Sequence, residues 1–322
     1  MASFPFLSPP QPRPWLPFVL GVSFLGTIVL GCSPVTTGDR DPSGAGEGTE
    51  ATGTEATGAE ATGTEETGAL EIRANGEDLV RQGWVSKDGW GLQLDQVWVT
   101  LGQIQAHQTD PPFGAEPGET LQPQVTVDLP GVHRVDLAAG DETATPIAVG
   151  TIDPVPVGQF NALSWGLVNP PPPLNPSEMP GEGSLVLVGK ASKGEQTIAF
   201  KLVWREEMQF VCGEYVGDDR KGFVTPGGTG DLEITLHWDH LFGQGDLPPE
   251  DDLNQGALGF EPLAAIAQGN TLEITSSQLQ QQLTPENQAK FQALLPNLGH
   301  VGEGHCTNPS PAATPPSSPP PQ

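Results

Sequence analysis

Four of the six histidines of this chain fall in two short clusters, His237-Trp238-Asp239-His240 and His300-Val301-Gly302-Glu303-Gly304-His305-Cys306. Imidazole is the commonest side-chain ligand of transition metals, and glycines beside it let a loop fold tightly enough to aim several ligands at one point. Two or three ligands from the first cluster (His237, His240, Asp239) and one or two from the second (His300, His305, Glu303) would complete a zinc or copper(II) centre. Three methionines in the whole chain argue against a thioether-lined copper(I) site. Neither cluster has a spacing as diagnostic as HExxH or paired CxxC motifs. A second reading therefore stands beside the first: His237 and Asp239 on a solvated strand face, and the glycine loop a plain turn.

Other chemistry is thinly represented. Glu250, Asp252, Asn254 and Glu261 occupy positions one, three, five and twelve of a calcium-loop count, but the turn glycine is displaced to Gly256 and a proline follows Glu261, so residues 246–254 read as a solvated acidic loop. The run Asp218-Asp219-Arg220-Lys221-Gly222 reads as a surface turn. Ser164, in Leu163-Ser164-Trp165-Gly166, lacks the first glycine of a nucleophile elbow, and the chain carries no phosphate-binding glycine loop and no dinucleotide fingerprint. A net charge of −27, from 40 acidic against 13 basic residues, excludes an electrostatic nucleic-acid binder, because nothing would displace counterions from a phosphate backbone.

The elements that must position the histidines are mostly strands. In residues 231–238, Leu232, Ile234, Leu236 and Trp238 share one face, while Asp231, Glu233, Thr235 and His237 share the other, which puts His237 on the polar face. An Asp88-Gly89 turn leads into an apolar run through Leu92, Leu94, Trp98 and Leu101. Residues 125–127, 184–188 and 197–204 add further β-rich stretches between Pro/Gly loops. No long helical period intervenes, and an antiparallel β-sandwich is expected. After residue 275, Ser276 can cap a helix holding Leu279 and Leu283, and Thr284-Pro285-Glu286 starts another through Phe291, Leu294, Leu295 and Leu298. Pro296 should shorten or bend that second helix, with Gly299 as its stop. The fold class is thus mainly β with a small helical C-terminal cap.

The two ends of the chain are of other kinds. Residues 1–31 hold one base, Arg13, and an apolar run over 15–30, closing on Val29-Leu30-Gly31-Cys32. That ending resembles the lipobox of bacterial lipoprotein signal peptides, in which the cysteine, here Cys32, is lipidated and becomes the new N-terminus. The resemblance implies a membrane anchor of more than one acyl chain and a place outside the cytoplasm, in the bacterial cell envelope. Residues 32–69 hold almost no large apolar residue, and from Glu50 to Ala69 they repeat a five-residue unit of the type Glu-Ala-Thr-Gly-Thr/Ala. A five-residue period matches neither helix nor strand, so the segment is read as a disordered tether reaching roughly 33 Å. Residues 70–306 form the folded domain, and residues 307–322 a Pro-rich tail. Cys212 and Cys306 remain once Cys32 is assigned to lipid. In an oxidising compartment they pair as a disulfide, the rival being Cys306 as a thiolate metal ligand.

Lys87-Asp88-Gly89-Trp90, Val97-Trp98-Val99-Thr100-Leu101, Cys212-Gly213-Glu214-Tyr215 and the two histidine clusters together resemble a family of bacterial envelope lipoproteins with a β-sandwich domain of unknown function. The resemblance implies a location and a fold, and names neither an activity nor a protein partner. The functional expectation is a membrane-tethered, non-enzymatic protein that binds a divalent transition metal. The alternatives are a structural or adhesive sandwich without a metal and, with less behind it, an envelope hydrolase.

Overall fold

A computed structural model of the protein describes residues 66–141, 143–171 and 183–309. The expected signal segment, the expected lipidation site Cys32, nearly all of the expected tether and the expected tail from residue 310 lie outside the described residues. In chain order the first elements are β1 (Thr67–Asn75), α1 (Glu77–Gln82), β2 (Trp84–Val85), β3 (Gly91–Gln108), β4 (Val125–Asp136), β5 (Ile147–Pro156), β6 (Gly158–Gln159) and β7 (Ala162–Leu167). The middle of the chain forms β8 (Leu185–Lys193), β9 (Gln196–Trp204), β10 (Met208–Cys212), β11 (Phe223–Val224) and β12 (Thr229–Leu236). Three short helices follow, α2 (Asp239–Phe242), α3 (Asp252–Gly256) and α4 (Glu261–Ala264), then β13 (Thr271–Thr275), α5 (Ser276–Gln282), α6 (Pro285–Leu298), β14 (Gly299–Val301) and β15 (Gly304–Thr307). Strand β1 takes in Thr67-Gly68-Ala69, so the fold begins inside the last repeat unit.

The protein is mainly β, as expected, but its strands do not form two antiparallel sheets. Thirteen strands join one curled sheet in the order β13-β9-β8-β3-β7-β10-β15-β14-β12-β1-β5, with β2 and β4 also on β3. The sheet is mixed: β1 runs parallel to β12, and β13 parallel to β9. Parallel neighbours need long crossovers, and here each crossover passes through many intervening elements, which the local pattern of each strand does not reveal. The curl has a local cause in β3. Its register against both β4 and β7 slips near Gln103, which holds φ 54°, and an extra residue of this kind bends and twists a strand.

The expected helical cap is present. Helix α5 is capped one residue earlier than expected, by Thr275 in a capping box with Gln278, and Thr284 caps α6, where proline opens the first turn. Helix α6 runs two residues past Pro296 before Gly299 ends it. It lays Phe291 on Trp204, with ring centroids 5.9 Å apart, and buries Leu294, Leu295 and Leu298. That apolar face fixes where the chain leaves the helix, and so where the second histidine cluster begins.

A fifth histidine is structural. His107 on β3 is 3% exposed and lies between Thr126 Oγ1 at 3.0 Å and Ser164 Oγ at 2.8 Å, a hydrogen-bonded bridge across three strands. Burial lowers its pKa to about 4, against a partial pull upward from Asp128. Because the unfolded chain takes up this proton near pH 6.5 and the folded protein only near pH 4, its contribution is fully present above pH 6.5 and is lost as pH falls through that window. His107→Asn should therefore remove up to about 3 kcal/mol of the acid-induced loss of stability between these limits. Urea midpoints of the two proteins measured across the window check this: equal slopes would refute it.

Candidate metal centre

Strand pairing brings the two histidine clusters together. Strands β12 and β14 are antiparallel with Thr235 opposite His300 and Leu236 opposite Gly299, and the His237 amide donates to the Leu298 carbonyl at 3.2 Å. Strand β12 ends at Leu236, so His237 follows the last ladder pair, and α2 then winds Asp239 and His240 around the same point. On the other side the hairpin of β14 and β15 sets His300 directly opposite His305, the closest cross-strand relation available to two side chains. The polar face expected for residues 231–238 is real but not solvated: Glu233, Thr235 and His237 are all buried. Thr235 Oγ1 accepts from the Gly302 amide at 2.9 Å, and Asn75 Nδ2 donates to Glu233 at 2.9 Å.

The hairpin depends on Gly302. It holds φ 60°, and a Cβ there would lie 2.0 Å from the backbone oxygen of Val216, so no side chain can enter without moving the turn. Gly302→Ala should cost about 2 kcal/mol or more and weaken metal binding at least about tenfold by displacing His300. Unfolding and zinc titration of the variant test both expectations, and wild-type values in the two measurements would refute them.

The imidazoles form a continuous set. The His237 and His300 rings stack with centroids 4.0 Å apart, His300 and His305 are 4.3 Å apart, and His240 lies 5.2 Å from His300 and 6.0 Å from His237. Ligand atoms of His237, His240 and His300 all fall within 4.8 Å of one another, a spacing that small rotamer shifts can close around one ion at about 2.0–2.1 Å. The three border a cavity of about 600 Å³, together with Asp239, Lys290 and Asn297.

Hydrogen bonds set which nitrogen of two rings is free. A carbonyl can only accept, so His237 Nε2, 3.1 Å from the Gly302 oxygen, and His300 Nε2, 3.2 Å from the Asn297 oxygen, each carry the ring proton. The lone pair of each ring then sits on Nδ1. This is the arrangement of a metal-ligating histidine, whose second nitrogen is held by a backbone carbonyl. His300 Nδ1 is buried and has no hydrogen-bond partner, an omission that costs about 1–3 kcal/mol unless something binds there. Burial and the neighbouring His237, His305 and His240 push the His300 pKa down to about 3. Burial also lowers that of His240, against an upward pull from Asp239. Both rings are thus neutral at physiological pH, as ligands must be.

The remaining candidates divide. Asp239 is buried, accepts from Gln244 Nε2 at 2.6 Å through Oδ2, and keeps a buried Oδ1 without a partner. His305 is exposed at the rim. Glu303 turns to a second group, with His237 and a residue the sequence did not suggest, Glu77, again with ligand atoms within 4.8 Å. Glu77 Oε1 lies 3.4 Å from His237 Nε2. Burial, then Asp239 and Glu303, raise the Glu77 pKa to about 7. It holds φ 62°, while its amide donates to Asn75 Oδ1 at 3.0 Å. Nothing in the local sequence marks it, because it comes from the far end of the domain across the parallel pair of β1 and β12.

Two other expectations are settled by contacts. Cys212 and Cys306 are joined as a disulfide on directly paired residues of β10 and β15, so Cys306 is not a metal thiolate. In the acidic stretch, Asn254 Nδ2 donates to the carbonyls of Gln244, Leu247 and Pro248. Glu261 binds Trp90 Nε1 and Lys193 Nζ, and with both side chains so engaged the calcium-loop count does not form a loop. No helix among the described residues is long and apolar enough to cross a membrane. No family model, curated protein or solved structure matches the chain.

Proposed function

We propose that this chain is a non-enzymatic protein of the bacterial envelope, held outside the cytoplasm by lipid on Cys32, that binds a divalent transition metal, zinc or copper(II). His237, His240 and His300 supply the ligands, with Asp239 beside them and His305 at the rim. The observation that carries the metal reading is His300: a buried ring whose Nε2 is fixed by the Asn297 carbonyl and whose Nδ1 has no partner beside two further imidazoles. A structural or adhesive sandwich would have no use for an unsatisfied nitrogen in that position, because closing it with a hydroxyl or an amide would stabilise the fold. The anchor rests on Val29-Leu30-Gly31-Cys32, and mass spectrometry of the membrane-extracted protein should find acyl chains on Cys32 as the first residue.

Elemental analysis of the purified full chain, followed by calorimetric titration of the metal-free form with Zn(II), tests the metal reading. A first equivalent should bind with Kd of about 1 μM or tighter. Binding no stronger than millimolar would leave a structural role in its place.

A further inference from the structure

We propose a second cation position on the opposite side of His237, built from carboxylate oxygens of Glu77 and Glu303 with Asp239 between the two positions, and suited to an oxygen-preferring divalent ion such as Mn²⁺. Oxygens of Glu77 and Glu303 form one group with His237, within 4.8 Å of one another, and His237, whose Nε2 carries the ring proton toward the Gly302 carbonyl, stands beside the position without ligating the ion. These residues line a cavity of about 750 Å³ that Asp239 and Glu233 also border. This cavity is distinct from the one faced by His240, His300 and His305, while His237, Asp239 and Glu303 border both.

The second, independent observation is Asp239. It is 7% exposed, its Oδ2 is taken by Gln244, and its Oδ1 is buried with no partner. A carboxylate oxygen in that state calls for a cation or a donor. Lys221, the cation paired with Glu233 at 3.3 Å, is shared with Asp231 at 2.7 Å. Six carboxyl groups border this cavity, Asp78 and Asp218 being the other two; they repel each other, and a divalent ion is the ligand class that relieves this. Oxygen-rich sets favour magnesium, calcium and manganese, whereas imidazoles favour zinc and copper, so the two positions differ in the metal they select. The Glu77 amide donates to Asn75 Oδ1, and the Asn75 side chain is itself fixed by donating from Nδ2 to Glu233.

The shared residues make this inference a neighbour of the metal reading above, yet it can fail separately. The test is Mn²⁺ binding to the full chain, read as loss of the free-ion paramagnetic resonance signal, with and without one equivalent of Zn(II). One equivalent of Mn²⁺ should bind in both conditions. The double variant Glu77→Gln and Glu303→Gln should lose Mn²⁺ at least about tenfold in affinity while keeping Zn(II). His300→Ala should lose Zn(II) while keeping Mn²⁺. Stoichiometric displacement of Mn²⁺ by the first equivalent of Zn(II), or unchanged Mn²⁺ binding in the double variant, would overturn the second position. Absence of Zn(II) binding with Mn²⁺ retained would overturn only the histidine site.

Discussion

Replacing His300 with alanine should lower Zn(II) affinity by at least about 100-fold while leaving the metal-free protein folded. The ring contributes one of three clustered nitrogens, and even outer partners of such ligands are worth 10–100-fold when removed. Its removal also takes away a buried nitrogen with no partner, so the apo variant loses packing but sheds an unsatisfied polar atom, two effects of opposite sign. The measurable contrast lies in linkage. At about 100 times the dissociation constant, zinc should stabilise the native protein by about 2.7 kcal/mol, and the same concentration should leave the His300→Ala midpoint almost unmoved. His237→Ala should behave alike at the site, though it also frees the Gly302 carbonyl. A variant stabilised by zinc as strongly as the native protein would place the metal elsewhere.

Removing the disulfide should have the largest effect on stability. Cys212 and Cys306 close a loop of 94 residues, and in the chain-entropy account such a link is worth about 4 to 5 kcal/mol. Its position matters as well as its length. Cys306 follows His305 directly and faces Cys212 across β10 and β15, so the bond pins the hairpin that sets His300 opposite His305. Cys212→Ser with Cys306→Ser should therefore lower the guanidinium midpoint sharply and weaken Zn(II) binding together. A reduced protein with an unchanged midpoint would show that the hairpin is held by strand pairing alone.

Much of the site was legible because its pieces are local. Each histidine cluster is a few residues long, and the helix that delivers the second is announced by Thr284-Pro285 and ended by Gly299. The disulfide followed from a compartment and a count of cysteines. What brings the clusters together is the pairing of β12 with β14, more than sixty residues apart, and no periodicity encodes that. Alternation along residues 231–238 correctly separated the two faces of β12 but misjudged the polar one, because both faces of an inner strand are covered. The expectation of an antiparallel sandwich failed for a related reason. Parallel partners such as β1 and β12 look in sequence like any other strands, since the crossover and not the strand decides their direction. Glu77 was invisible for the same cause: it enters the site from the end of β1, held at φ 62°, a backbone state that a glutamate's identity does not signal.

A ligand set of three imidazoles around one ion is read out by X-ray absorption at the zinc edge of the Zn(II)-loaded full chain. Its first shell should lie at about 2.0–2.1 Å with the multiple-scattering pattern of about three imidazoles, reduced by one in His300→Ala when zinc is supplied in excess. A shell of oxygen neighbours without imidazole scattering, unchanged in His300→Ala, would contradict it.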